Sequence, residues 1–207
     1  MDTRFSPMTT TTVSPHPEYS IAVFSDPSTL NAILKAVLHT IFFHRYFTNV
    51  RPSTQNILHL TLPYVEAPEL NQLIDTRIHQ LNRQLNSTSG PGTSIRGGIG
   101  VQFFERKRRL STAETTMMNL FGIRPGDGAT EDVCWETWRV EVTLAIPRTQ
   151  EEQKKVTKAM ETSLKRTVMK IIATANANTD HIPPIHTQEI NPFPYQIILN
   201  PKNGNGM

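Results

Sequence analysis

Apolar and polar positions along the chain follow two periods, and their order predicts the architecture. Residues 19–24 alternate over a short run and predict a strand. Asp26 followed by Pro27 predicts a helix start, with Asp26 as N-cap and Pro27 at the first helical position. Leu30, Leu34, Val37, Leu38 and Ile41 then recur at helical spacing. Phe42, Phe43 and Phe47 spread apolar character round further sides, so this helix is expected to be central and covered on several faces. Pro52 excludes its continuation.

Residues 56–62 set Leu58, Leu60 and Leu62 against Ile57, His59 and Thr61, which reads as one strand. Pro68 opens a second helix with the stripe Leu70, Leu73, Ile74, Ile78, Leu81 and Leu85 and a polar opposite face. Residues 86–98, rich in Ser, Thr and Gly, read as a flexible connector. Residues 101–105 predict a third strand, and a loop spans residues 110–132.

The longest strand signal follows at residues 133–146. One face carries Cys134, Trp138, Val140, Val142, Leu144 and Ile146, interrupted only by Glu136. The other carries Val133, Trp135, Thr137, Arg139, Glu141 and Thr143, as in a half-buried antiparallel strand. Thr149 and Glu152 have the spacing of a capping box. Behind them Val156, Met160, Leu164, Val168, Ile171, Ile172 and Ala175 mark a helix of roughly seven turns. The remainder is Pro-rich, with one more candidate strand at residues 195–199.

This order gives an α+β fold, with three helices packed on one face of a mainly antiparallel β-sheet. A single domain is expected at residues 18–199, between disordered tails at residues 1–17 and 200–207. Hydrophobic residues at 37% and charged residues at 19% agree with a globular chain and exclude a charge-driven disordered one. No run reaches the roughly 18–20 apolar residues of a membrane span. Residues 1–17 lack the pattern of a signal or transit peptide, which leaves the cytoplasm as the expected compartment. The single cysteine, Cys134, excludes an internal disulfide and a multi-thiolate zinc site.

Net charge is +3, and the run Arg106, Lys107, Arg108 and Arg109 equals more than that surplus. It reads as a solvated strand end or as a patch for phosphate, anionic lipid or nuclear import, with nucleic acid a runner-up only.

The search for catalysis returns little. His39 and His44 stand about 140° apart on a helix and cannot easily share a metal. His181 and His186, with Asp180 and Glu189, would have to ligate from an irregular segment. Gly97, Gly98 and Gly100 precede a strand and lack the following Lys and helix of a phosphate cradle. Cys134, placed on the buried face, lacks the electropositive setting of a nucleophile. These residues imply no enzyme, metal, cofactor or small-molecule substrate. The loop is more informative, because Met117, Met118, Leu120, Phe121 and Ile123 are apolar inside a connection otherwise rich in Ser, Thr, Gly and Asp. Such residues fold back on the domain or meet a partner.

Several segments resemble the autophagy-related protein 101 family. The resemblance lies in residues 36–45, ending Phe42, Phe43, His44 and Arg45. It returns in residues 101–108, with Phe103, Phe104, Glu105 and Arg106, and in residues 135–142, with Trp135, Glu136, Thr137 and Trp138. Residues 181–185 match more weakly. The resemblance implies a HORMA-like domain with a mobile C-terminal segment. It also implies a non-catalytic adaptor in autophagosome formation that pairs with the HORMA domain of autophagy-related protein 13 and stabilises it within the autophagy-initiating kinase complex. A finger of Trp and Phe two residues apart is further implied in the loop after the basic strand, where it helps recruit downstream factors. The corresponding loop here has no Trp, and Phe121 is its only aromatic residue. Either Met118, Leu120 and Phe121 take over the finger's work or that activity is missing. Two other readings remain beside the adaptor: a HORMA module clamping a peptide motif on a chromatin-associated partner, and, third, an enzyme using Cys134 or the His181 and His186 loop. In the adaptor reading the segment with Pro183, Pro184, Pro192 and Pro194 is expected to be loosely held, since these residues lack backbone donors.

Overall fold

In the computed structural model the described residues are 16–47, 51–87, 95–108, 130–185 and 192–201. They form β1 (Glu18–Ser25), α1 (Leu30–Arg45), β2 (Pro52–Ile57), β3 (Leu60–Val65), α2 (Pro68–Ser87), β4 (Ile95–Arg108), β5 (Thr130–Leu144), α3 (Gln150–Ala177) and β6 (Tyr195–Leu199). The main sheet has the order β1-β5-β4-β6, with β1 parallel to β5 and the other pairs antiparallel. The result is an α+β fold with three helices packed with a mainly antiparallel sheet, consistent with a HORMA-like domain.

Eleven of the sixteen residues of α1 are buried, as its all-round apolar pattern requires of a central helix. Its start differs from the expectation. Asp26 Oδ1 accepts the Thr29 N–H and the Ser28 hydroxyl, each at 2.8 Å, so residues 27–29 form a capped turn and the helix begins at Leu30. At α3 the predicted cap is present, with the Glu152 N–H donating to Thr149 Oγ1 at 3.2 Å. The Glu152 carboxylate, however, accepts the Arg148 N–H at 2.7 Å, one residue earlier than a standard capping box.

Residues 56–62 are not one strand. The chain reverses at Leu58 and His59, both at positive φ (47° and 64°), so the apolar alternation spans the β2–β3 hairpin. Two consecutive left-handed residues make a tight two-residue hairpin turn, normally signalled by Asn-Gly or Asp-Gly. A Leu-His pair carries no such signal.

The connector is also shorter than expected, because Ile95 to Gly98 already belong to β4. Gly97 sits under α2, where a Cβ would lie 2.6 Å from Leu85 Cδ2 and 3.3 Å from Leu81 Cδ1. A glycine inside this strand therefore marks close helix–sheet packing, not flexibility.

On the inner face Ile21 pairs with Val140 and Val140 with Ile99, while Trp138 pairs with Val101 and Val101 with Ile197. All six are buried beneath the helices. At the edge of the sheet, Thr167 and Lys170 of α3 donate to the carbonyls of Ala22 and Ser20 in β1, at 2.8 and 2.7 Å. Side chains from the helix thus satisfy an edge that would otherwise be open to strand addition.

A bulge breaks the alternation of β5. Phe103 pairs with Glu136 and Phe104 with Cys134, so Trp135 is the extra residue. Trp135 turns into the core against Phe103, ring centroids 5.6 Å apart. Cys134 moves to the opposite face from the one expected, with Sγ 3.6 Å from Thr137 Oγ1.

Candidate interaction sites

The one polar interruption on the apolar face of β5 organises the best-defined cluster in the domain. Glu136 is fully buried. Both of its carboxylate oxygens lie 2.9 Å from Nε of Arg45, itself buried at the end of α1. The indole N–H of Trp138 donates to Oε1, and His181 Nε2 lies 2.7 Å from Oε2. Arg45 also donates through Nη2 to the carbonyls of Ala175 and Asn178, at 3.2 and 2.9 Å. A cation against the last carbonyls of α3 complements the negative end of the helix dipole. Five parts of the chain therefore meet here: α1, β5, the end of α3, the segment after α3 and, through the Tyr19–Trp138 ring contact at 4.7 Å, β1.

This knot also fastens the C-terminal segment. His181 packs against Trp135 at 5.7 Å, and Trp135 in turn packs on Phe193 at 5.3 Å. Phe193 is buried and also meets Phe47 at 5.6 Å. Pro194 contributes its carbonyl to the Phe104 N–H at 2.8 Å. The prolines remove donors, yet the described parts of the segment are held by aromatic packing and by one histidine–carboxylate contact. Sequence reasoning missed this cluster. Its available signal was a lone carboxylate on an apolar strand face, matched by an arginine at the end of an apolar helix.

Two further histidines, His39 and His44, sit on α1. His39 is buried, its Nδ1 accepts the Val65 N–H at 3.3 Å, and its ring lies 4.1 Å from that of Tyr64. Burial first, and Lys35 second, lower its pKa to about 4, so the ring is neutral at physiological pH. His44 is also lowered, by burial and then by Arg45. Burial pushes the Cys134 thiol up, which opposes nucleophilic use. No metal-ligating cluster occurs among the described residues. His186 and Glu189 lie outside them.

The first two residues of the basic run are countered locally. Arg106 Nε lies 3.8 Å from Asp132 Oδ1, and Lys107 Nζ lies 3.1 Å from Glu105 Oε2. Across the ladder Arg106 faces Asp132, Lys107 faces Glu131 and Arg108 faces Thr130. Antiparallel pairing thus brings carboxylates beside a run that looks uniformly basic in the sequence. Arg109 lies outside the described residues, as do the loop residues Met117, Met118, Leu120 and Phe121. No described helix is long and apolar enough to cross a membrane.

Comparison with known proteins adds a family match. The model of the family described as Autophagy-related protein 101 matches residues 22–189. Autophagy-related protein 101 of Arabidopsis thaliana is 23% identical over 188 residues, covering 82% of this chain and 80% of the relative. Autophagy-related protein 101 of Schizosaccharomyces pombe is 25% identical over 167 residues, covering 80% of this chain and 77% of the relative.

Proposed function

The chain belongs to the autophagy-related protein 101 family, and from that premise we propose that it is a non-catalytic adaptor subunit in autophagosome formation. It heterodimerises with the HORMA domain of autophagy-related protein 13, stabilises that domain, and joins the autophagy-initiating kinase complex. It works in the cytoplasm, at the site of autophagosome assembly, and helps recruit downstream autophagy factors.

The observation that supports pairing over peptide clamping is the knot around Glu136. A clamp must release and re-close a segment around its ligand. Here, against the loose hold expected from its prolines, the described parts of the segment after α3 are tied to the core through His181 and through Phe193, buried beside Trp135. A domain fixed in this way offers a preformed surface, which suits domain-to-domain docking with little rearrangement. The carboxylates beside Arg106 and Lys107 weaken the case for a chromatin-bound function.

Co-expression with the HORMA domain of autophagy-related protein 13, followed by size-exclusion chromatography with light scattering, tests this reading. A one-to-one complex is expected, with a higher melting temperature than this chain has alone, because a partner that binds only the folded state stabilises it. A stable monomer that ignores that partner would overturn the proposal.

A further inference from the structure

We propose that the outer face of α3 docks the domain onto a bilayer surface rich in anionic phospholipid. The inference starts from where the charge surplus lies once the chain is folded. Helix α3 carries six cations (Lys154, Lys155, Lys158, Lys165, Arg166 and Lys170) against three carboxylates. Its excess equals the net charge of the whole chain, +3. Two of the carboxylates, Glu151 and Glu152, occupy the first turn. Beyond it Glu161 is the only acid.

The cations are gathered on one side. At about 100° per residue, Lys154, Lys165, Lys158, Lys155 and Arg166 fall within an arc of roughly 120°. That arc is opposite the buried stripe of Met160, Leu164, Thr167, Val168, Ile171 and Ala175. All five side chains of the arc are exposed, and among the described residues none forms an ion pair. Lys170 is apart from the arc and donates to Ser20. A shallow groove of about 430 Å³ runs between Lys155, Lys158, Thr162, Ser163 and Arg166. Met169, at 58% exposure, stands in the middle of the same arc.

Charge complementarity calls for an anionic occupant, and the residue types favour a fluid surface. Four of the five cations are lysines, mobile point charges that suit many shifting headgroups. Recognition of a fixed carboxylate or phosphate would favour the rigid fork of arginine. No exposed aromatic residue of α3 offers a stacking platform for nucleic-acid bases. The helix is held to the domain by its buried stripe, so it lies along the surface, with Met169 as a small apolar contact at headgroup depth.

The test is sedimentation of the full chain with vesicles of phosphatidylcholine, with and without phosphatidylserine, at low and high salt. Association is expected only with phosphatidylserine and should fade with salt. Each charge near such a surface is worth about fivefold in partitioning, so a triple Lys155→Gln, Lys158→Gln, Arg166→Gln variant should lose roughly a hundredfold. The double variant Arg106→Gln, Lys107→Gln should stay within a few-fold of the unaltered chain. If the triple variant fails to fold, the pair Lys154→Gln, Lys165→Gln decides by the same readout. No association with anionic vesicles, equal association with neutral ones, or undiminished association of the α3 variants would overturn the proposal. So would capture by an acidic peptide such as polyglutamate without vesicle binding.

Discussion

Arg45 Nε and the Glu136 carboxylate face each other at 2.9 Å, with both side chains shielded from water. The pair joins the end of the central helix to the middle of the sheet. Its remaining hydrogen-bonding capacity is used by Trp138, His181 and the last carbonyls of α3. Burying two charges is costly, so their value lies in tying these elements to one arrangement.

Removing one partner should therefore cost more than removing both. Arg45→Ala or Glu136→Ala is expected to destabilise the domain by about 3–5 kcal/mol, because an uncompensated charge stays buried. A double Arg45→Met, Glu136→Leu variant should recover much of that loss. Urea unfolding midpoints, compared at equal slope, measure both.

His181 should act on one segment and spare the sheet. His181→Ala removes the contact with Glu136 Oε2 and the packing on Trp135. Amide exchange at residues 178–185 is expected to speed up, while Val140 and Val142 in β5 keep their protection. Unchanged exchange after α3 would show that the remaining contacts, Phe193 and Ile182 among them, suffice to hold the segment.

His39 predicts a dependence of stability on pH. Burial lowers its pKa from 6.5 to about 4, so below pH 6.5 the unfolded chain binds a proton that the native state refuses. The histidine's contribution is complete above that range and is lost as the pH falls to about 4, on the order of 3 kcal/mol in total. His44, lowered in the same direction, adds a smaller slope of the same sign. His39→Phe keeps a ring over Tyr64 and should flatten the stability profile between pH 6.5 and 4 relative to the unaltered chain.

Gly97 reports on the packing of α2. An alanine there would bring its Cβ to 2.6 Å from Leu85 Cδ2. The clash is with the tip of a side chain, so a cost of about 1 kcal/mol is expected for Gly97→Ala and more for Gly97→Val. Combining Gly97→Ala with Leu85→Ala should be less destabilising than the sum of the two, a coupling that a double-mutant cycle measures.

Phe121 separates pairing from recruitment. In the proposed adaptor, Phe121→Ala should leave the heterodimer intact in size-exclusion chromatography and weaken a different interaction, seen as loss of co-purifying autophagy factors. Loss of the heterodimer itself would show that the loop belongs to the pairing surface.

Elements governed by local chemistry were legible from residue order alone. The stripe of α2, the cap and stripe of α3, and the strands at residues 19–24 and 195–199 depend on periods of 3.6 and 2 and on side chains that bond to their own backbone. The near-continuous burial of α1 followed from its apolar residues on several sides. These features set the order of helices and strands apart from the β2–β3 hairpin, read as one strand, and with it the α+β architecture.

Features set by pairing or packing between elements were not legible. The Leu58–His59 reversal has no turn residue to announce it and depends on the pairing of β2 with β3. Gly97 looked like linker composition until α2 lay over it. The bulge at Trp135, which exchanged the faces of Cys134 and Trp135, is a property of the β4–β5 register and not of β5 alone. Charge behaved in the same way. The run at residues 106–108 lost its prominence when antiparallel pairing set Glu131 and Asp132 beside it, whereas the more scattered lysines of α3 share one face by helical geometry alone, and tertiary packing decided only that this face points outward. Local periodicity determined which elements exist, the β2–β3 hairpin excepted, because it acts between neighbours in the chain. Register, and which charges of different strands become neighbours, were decided only by tertiary structure, because they arise between separate elements, as in the β4–β5 ladder whose partners lie 22 to 49 positions apart.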